Sequence, residues 1–336
     1  MRHGCWTFLL LISLYARAQS PEQEGDLFRV MSYNVENLFD CHDDSLTADE
    51  DFLPDAARHW HPGRYWKKLE QLARVIAAVG EERMPAIVGL CEVENDSVLH
   101  DLTRRSPLRR IGYRYLITHS PDVRGIDVAL LYQPTHFRPI NHSSIRIPTA
   151  PQQRPTRDIL YVSGQLPNHD TLDIFLVHLP SKLQGARRTL PYRMQAVHLL
   201  KHSIDSICTQ RIRPNLLLMG DFNDTTESAV LQSLLAEGAL HHLLPNDSLP
   251  SATPGSYQYQ GRWQLIDHLL ISASMLSSQA SLQFIRAGIF HLPFLLIPDE
   301  RYGGLRPLRT YRGYQYEGGF SDHLPVWADF LLLYKK

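Results

Sequence analysis

The sequence has no surplus charge: 34 lysines and arginines stand against 35 aspartates and glutamates, a formal net charge of −1. Whole-molecule attraction to a polyanion is thereby excluded as a driving force, although a local basic patch is not. Cysteine is scarce. Of the four cysteines, Cys5 lies in the first apolar run, and Cys41, Cys91 and Cys208 allow at most one disulfide, with spacing that matches no zinc pattern. After that run no stretch reaches the roughly 18 consecutive apolar residues of a membrane span. No long linker divides the chain either, so one domain is expected over residues 19–336.

The opening MRHGCWTFLLLISLYARAQS has a basic start at Arg2, an apolar run from Trp6 to Tyr15, and the small-x-small pattern Ala16-Arg17-Ala18. It predicts a signal peptide over residues 1–18 and export to periplasm or medium, an uncleaved N-terminal anchor being the alternative. The remainder is ordinary globular material. At 43% hydrophobic and 21% charged residues it has the apolar content for a sizeable core.

Short β-prone runs that stop at polar residues recur along the chain. FRVMSYN ends at Asn34, AIVGLCE at Glu92, LDIFLVH at His178, NLLLMGD at Asp221 with Asn223 just after, and LID at Asp267. Polar side chains at the ends of packed strands converge on one rim of a sheet. Between the runs lie amphipathic helices: one over 64–79, with Trp66, Leu69, Leu72, Ala73, Ile76 and Val79 on one stripe, a second over 193–208, and a third from Glu227 stopped by Gly238. This alternation predicts a layered α+β sandwich. The acid- and histidine-containing stretch from Asp40 to Pro62 reads as a solvated loop, an extra metal site being the alternative.

Each polar strand end alone has a bland reading as a strand cap or a structurally satisfied histidine. Taken in order, MSYNVENLF, VGLCEVEN, RGIDVALLY, VHLPSK, MGDFND, WQLIDHLLIS and GGFSDHLPVW resemble the endonuclease/exonuclease/phosphatase superfamily, from about Phe28 to Leu332. The resemblance implies the deoxyribonuclease-I-like fold, a four-layer α/β/β/α sandwich with one active-site rim. It implies a metal site of Asn34, Glu92 and Asp322, with Glu92 the principal ligand. It further implies His323 as general base, Asp267 as its orienting partner, Asp221 aligning the water or assisting proton transfer, and Asn223 donating to a phosphoryl oxygen. His178 would stabilise the phosphoryl group or protonate the leaving oxygen.

Two positions keep two readings each. Asp127 is a partner of His178 at the substrate or a carboxylate capping its strand; Arg157 grips a substrate phosphate or forms a surface ion pair. The residue types suit the implied chemistry. General acid-base catalysis supplies about 10²–10⁴-fold, phosphate ester hydrolysis demands far more, and carboxylate and amide oxygens favour Mg²⁺, with Mn²⁺ or Ca²⁺ as alternatives, over zinc.

The substrate is less defined, because one such core serves many phosphate esters. The stretch Arg301–Gly319 interleaves Arg301, Arg306, Arg309 and Arg312 with Tyr302, Tyr311, Tyr314 and Tyr316, which suits phosphate contacts with base stacking or a solvated loop packed back on the sheet. A nuclease acting on nucleic acid as a monomer is the first expectation. A sphingomyelinase-like phospholipid hydrolase or a phosphatase for a small phosphate ester is the second, with IFHLPFLLIP (289–298) as a core strand or a lipid-inserting hairpin. An inactive phosphate-ligand binding protein is the third. The lesion-reading residues of abasic-site repair members and the motif set of inositol polyphosphate 5-phosphatases are not matched.

Overall fold

The computed structural model describes residues 25–149, 154–183, 185–244 and 255–334. The predicted signal peptide lies outside the described residues. In chain order, β1 (Gly25–Leu38) leads to α1 (Pro62–Gly80), β2 (Ile87–Val93), α2 (Asp96–His100), β3 (Arg114–Ile117), β4 (Asp127–Tyr132) and β5 (Arg138–Ile145). Then come β6 (Ile159–Gln165), β7 (Thr171–His178), α3 (Ala186–Gln210), β8 (Asn215–Asp221), α4 (Ala229–Leu235) and β9 (Leu240–His242). The last third is all β: β10 (Tyr257–Tyr259), β11 (Arg262–Gln264), β12 (Asp267–Ser272), β13 (Leu282–Ile289), β14 (Leu296–Pro298), β15 (Leu305–Pro307), β16 (Tyr311–Arg312), β17 (Gln315–Tyr316) and β18 (Val326–Leu333).

Two six-stranded sheets form, ordered β13-β18-β1-β2-β4-β3 and β5-β6-β7-β8-β12-β9. Each has one parallel pair at its centre, β1 with β2 and β7 with β8, flanked by antiparallel neighbours. A parallel pair needs a long crossover, and here each is made by a helix, α1 or α3. The sheets pack face to face through buried Leu90, Leu130, Leu176, Met219 and Leu269. A Cβ on Gly89 would stand 2.8 Å from the side-chain ends of both Leu176 and Met219, so the sheets approach closely there.

α1 begins where the sequence signals it: Pro62 occupies the first turn and His61 Nδ1 accepts from the Gly63 backbone N–H at 3.1 Å. Its apolar stripe, Leu69, Leu72, Ile76 and Val79, is buried in the core that contains the first sheet, each side chain contributing about 1.5–3 kcal/mol. Across the second sheet, Ala196, Val197 and Leu200 of α3 and Val230 and Leu231 of α4 share a separate cluster with Phe175, Val177 and Leu218. The result is the expected four-layer α/β/β/α sandwich.

Several local expectations change. β12 starts rather than ends at Asp267, yet Asp267 still reaches the rim, because β12 runs antiparallel to β8 with Asp267 opposite Asp221. The segment 40–62 is more than a solvated loop: Trp60 is fully buried with its indole N–H on the Phe39 carbonyl at 3.0 Å, and Phe39 stacks on Phe52. The 289–298 segment is neither a single core strand nor a projecting hairpin. It finishes β13, turns through Pro293–Leu295 and enters β14, with Phe294 packed against Phe290 and Phe320. Cys41, Cys91 and Cys208 are all free.

Candidate active site

The site forms where the two parallel pairs end together. From the first pair come Asn34, Glu36 and Glu92; from the second come His178, Asp221 and Asn223; Asp267, Asp322 and His323 arrive from the β12 and β18 side. Local backbone geometry aims them. Glu36, Asn37, Glu92 and Asn223 have φ of 52°, 53°, 67° and 50°, and the ladders of β1 and β2 slip register beside Asn34 and Glu92. Bulges and positive φ in residues with a Cβ are costly and gather where side chains must be re-aimed. In MGDFND, Gly220 has φ of 137° and a Cβ there would meet the Val177 carbonyl at 1.9 Å, so no other residue fits between the two histidine- and aspartate-bearing strands.

Asp221 is the hub. Its Oδ2 accepts from Asn34 Nδ2 at 3.0 Å and lies 3.6 Å from His178 Nε2 and 3.9 Å from His323 Nε2, while Oδ1 accepts from the Asn223 backbone N–H at 2.8 Å. His323 Nδ1 stands 2.7 Å from Asp267 Oδ2, and the Tyr257 ring covers the imidazole at 4.8 Å. Asn223 Nδ2 donates to the Leu179 carbonyl at 3.0 Å.

These environments drive the titrating groups apart. Burial lowers the affinity of His323 for a proton, but the charge and hydrogen bond of Asp267, with Asp221 and Asp322, outweigh it and lift the imidazole to about 10. His178 is depressed well below the ordinary value by burial and then by the cations Arg157, Arg124 and His323. Burial and repulsion from Asp267 push Asp221 up to about 7, against the pull of His323, Asn223 and Asn34. Two histidines pushed in opposite directions beside a carboxylate near neutrality are the pattern of assigned acid-base roles. His178 is a neutral N–H donor; as a stored proton for a leaving group it is poorly suited.

The oxygen donors lie beside this cluster. Glu92 Oε2 accepts from the Asn37 backbone N–H at 2.9 Å, and Oε1 faces His178 Nε2 at 4.0 Å and Arg124 at 3.9 Å. Asp322 Oδ2 accepts from Arg309 Nη2 at 2.9 Å, and Arg309 Nε reaches Glu36 Oε1 at 3.0 Å. Burial opposes ionisation of Asp322, but Arg309, His323 and Lys68 hold its pKa below the usual carboxylate value. Carboxylates and an amide oxygen fit a hard divalent cation. Atoms of Asp221, Asp267 and His323 also converge within 4.8 Å, but the 2.7 Å bond from His323 to Asp267 marks that trio as a proton relay.

Of the two positions that kept two readings, Asp127 takes the strand-capping one and Arg157 takes neither. Asp127 does not serve His178: its Oδ1 accepts from the Thr118 hydroxyl at 2.5 Å and the Ser120 backbone at 3.0 Å, while His178 Nδ1 is buried with no partner among the described residues. Asp127 therefore pins the 118–120 turn. Arg157 is neither a phosphate grip nor a surface pair. It is buried, and its fork bonds Asp122 Oδ2 at 3.1 Å and the carbonyls of His178 and Leu179 at 3.2 and 2.8 Å, clamping the end of β7 from inside.

Three contributors went unrecognised, Glu36, Lys68 and Tyr257, and Arg309, read as a phosphate contact or part of a solvated loop, instead pairs with Glu36 and Asp322. Lys68 of α1 is buried and donates to Thr310 Oγ1 at 2.5 Å and the Phe320 carbonyl at 2.6 Å. Burial draws it down to about 8 against the pull of Glu36, Asp322 and Glu92. No sequence signal marked it, because Lys68 stands among Lys67, Glu70 and Gln71.

Comparison with known proteins agrees with this geometry. The model of a family described as Endonuclease/Exonuclease/phosphatase matches residues 29–331. Among curated proteins no relative matches the sequence. Similar solved structures include an endonuclease/exonuclease/phosphatase family protein from Bacteroides thetaiotaomicron, at 16% identity, 93% coverage of this chain, 100% of that one and a TM-score of 0.60. A mannosyl-6-phosphatase from the same organism gives 16% identity, 90% and 99% coverage and a TM-score of 0.58. D. rerio TDP2 complexed with single-strand DNA product gives 14%, 90% and 98%, and 0.55.

Proposed function

Because the chain belongs to the endonuclease/exonuclease/phosphatase family, we propose that this phosphoester hydrolase is exported, depends on a divalent cation, and acts on a small phosphate ester. The observation that carries the chemistry is the 2.7 Å contact of His323 with Asp267, with Asp221 beside the far ring nitrogen. Nδ1–H donates to Asp267, which fixes the tautomer and leaves Nε2 to take a proton from the attacking water. Asp221 orients that water between His323 and His178. Neutral His178 and the second amide hydrogen of Asn223 donate to phosphoryl oxygens as negative charge grows there. Glu92, Asp322 and the remaining lone pair of Asn34 Oδ1 would hold Mg²⁺ or Mn²⁺, which supplies Lewis-acid stabilisation of the phosphoryl oxygen.

The size of the substrate follows from the arginines. Arg306 forms a fork with Glu317 at 2.6 and 2.7 Å, Arg309 is held by Glu36 and Asp322, and Arg157 is internal. Arg301 and Arg312 stay exposed, but with a net charge of −1 no whole-molecule attraction helps the chain track a polyanion. A nuclease is the second reading, favoured by exposed Tyr302 and Tyr314 beside the site and by the likeness to TDP2. The test is a panel assay of the purified protein lacking residues 1–18, with Mg²⁺, Mn²⁺ or Ca²⁺, against sugar phosphates, aryl phosphates, DNA, RNA and sphingomyelin. Cation-dependent hydrolysis fastest on a small ester is expected. Activity retained in EDTA rejects the cation requirement, and faster cleavage of DNA or RNA transfers the assignment to the second reading.

A further inference from the structure

A cleft of about 190 Å³ opens directly beside the candidate cation ligands, lined by Glu36, Asn37, Phe52, Arg58, Arg309 and Tyr311. Two of these touch the ligands themselves, Asn37 through its N–H on Glu92 and Arg309 through its guanidinium on Asp322. A group bound here therefore lies against residues that themselves contact the candidate cation ligands Glu92 and Asp322. Its outer walls come from segments outside the reacting set: the 52–58 stretch that precedes α1 and the β16-β17 hairpin.

The lining decides what fits. Guanidinium groups (Arg58, Arg309), a carboxylate (Glu36) and an amide (Asn37) place donors and acceptors side by side, while Phe52 and Tyr311 add aromatic faces. Glu36 and Arg309 already pair with each other, but an acyl chain would still set hydrocarbon against the Arg58 guanidinium and the Asn37 amide. A second phosphate would meet the Glu36 carboxylate. A ring with hydroxyls around its edge and C–H groups on its face satisfies both kinds of wall. The volume lies below the roughly 300–1,000 Å³ of most small-molecule pockets, which suits one ring rather than a chain of them. Arg58 is the adaptable member: it stacks on Phe52, Tyr311 and Tyr314 at 5.1 to 5.2 Å and donates through Nη1 to the Gly313 carbonyl at 2.7 Å, while its buried Nε makes no hydrogen bond and faces only the Asp51 carboxylate, at 3.5 Å.

We propose that this cleft is the specificity subsite of the hydrolase and holds the alcohol half of its phosphate ester, a single hydroxylated ring of the sugar type. The proposal rests on the phosphoester hydrolase reading, and Arg58 is its specificity-determining residue. The chemistry of the step is unchanged: water adds its oxygen to phosphorus, the P–O bond to the sugar breaks, and the sugar leaves with a proton.

The experiment compares kcat/KM for glucose 6-phosphate and mannose 6-phosphate with that for p-nitrophenyl phosphate, in the wild type and in Arg58→Ala. The hexose phosphates should be preferred, and Arg58→Ala should lower their kcat/KM about 10- to 100-fold while the aryl ester stays within about twofold. Equal losses on both substrates, or no loss on the sugars, overturn the proposal. Should Arg58→Ala fail to fold, Gly313→Asn replaces it: Gly313 has φ of 62° and a Cβ there meets open space, a conformation asparagine tolerates. The added side chain crowds the cleft, so the same selective loss is expected and its absence counts equally against the subsite. Should the wild type hydrolyse no ester, the hydrolase reading fails on its own. The subsite is then judged by saturation-transfer NMR with free mannose and glucose: binding lost in Arg58→Ala sustains it, and no binding overturns it.

Discussion

The β1-α1-β2 unit and the β7-α3-β8 unit share one topology, a parallel strand pair joined by a helical crossover and placed at the centre of its own sheet. They differ in what their strand ends hold. The first ends in Asn34, Glu36 and Glu92, all oxygen donors, backed by the buried Lys68. The second ends in His178, Asp221 and Asn223, groups that align water and donate to phosphate. Face-to-face packing sets the two chemistries against each other, so one half holds charge and the other handles protons. A duplicated scaffold thus acts through unlike termini.

That division can be broken first on its cation side. Glu92→Gln keeps an oxygen for the Asn37 N–H but removes the charge; kcat for an aryl phosphate should fall on the order of 10³-fold or more, since Lewis-acid stabilisation is worth several kcal/mol at about 1.36 kcal/mol per tenfold. EDTA should give the same loss, reversed by Mg²⁺, and circular dichroism should be unchanged. Near-normal rates in either case would remove the ion from this half.

The proton side responds next. His323→Ala should lower kcat by about 10²–10⁴-fold. Because the base must be unprotonated and its surroundings lift it to about 10 without a cation, the wild-type rate should climb with pH above neutrality, and that ascending limb should vanish in the variant. A limb that survives places the titrating base elsewhere.

How much of this was legible in the sequence depends on the range of the interaction. Asn34, Glu92, His178 and Asp221 were readable because each closes a short apolar run, and strand ends in a packed sheet share a rim. Asp267 was found although it opens its strand instead of closing it, since an antiparallel strand brings its first residue to the rim where its neighbour ends. Arg157 was misread, and Asp127 was left between two readings, because orientation decides both: nothing local says that the Arg157 fork turns inward to the carbonyls of 178 and 179. Glu36, Lys68, Arg309 and Tyr257 act across separations of up to hundreds of residues, and only the assembled layers bring them together.

A third measurement sharpens the comparison through stability. Behind the second half, His268 Nε2–H donates to the Asp224 carbonyl at 2.8 Å and His268 Nδ1 accepts from His242 Nε2–H at 2.7 Å, leaving His242 Nδ1 buried and unpartnered among the described residues. Burial depresses His268 to about 4, and burial with its neighbour depresses His242 to about 3. The unfolded chain binds these protons near 6.5 and the folded one does not, so stability present above pH 6.5 is lost as pH falls toward 4, by on the order of a few kcal/mol. Denaturant melts between pH 7 and 4 should show the loss, and His242→Phe should reduce it; a flat profile would contradict the neutral pair. The smallest effect belongs to Tyr257, whose ring contact with His323 is worth about 0.5–1.5 kcal/mol. Tyr257→Leu should cost only a few-fold in kcat, and a loss as large as that of His323→Ala would make it a reacting group.

The convergence of the two halves is tested most directly by Mn²⁺ titration with NMR detection of the histidine ring signals. Saturable broadening of His178 and His323 at stoichiometric Mn²⁺, abolished by Glu92→Gln, is the predicted result. Broadening spread over all histidines, or insensitive to Glu92→Gln, would contradict a single centre shared by both halves.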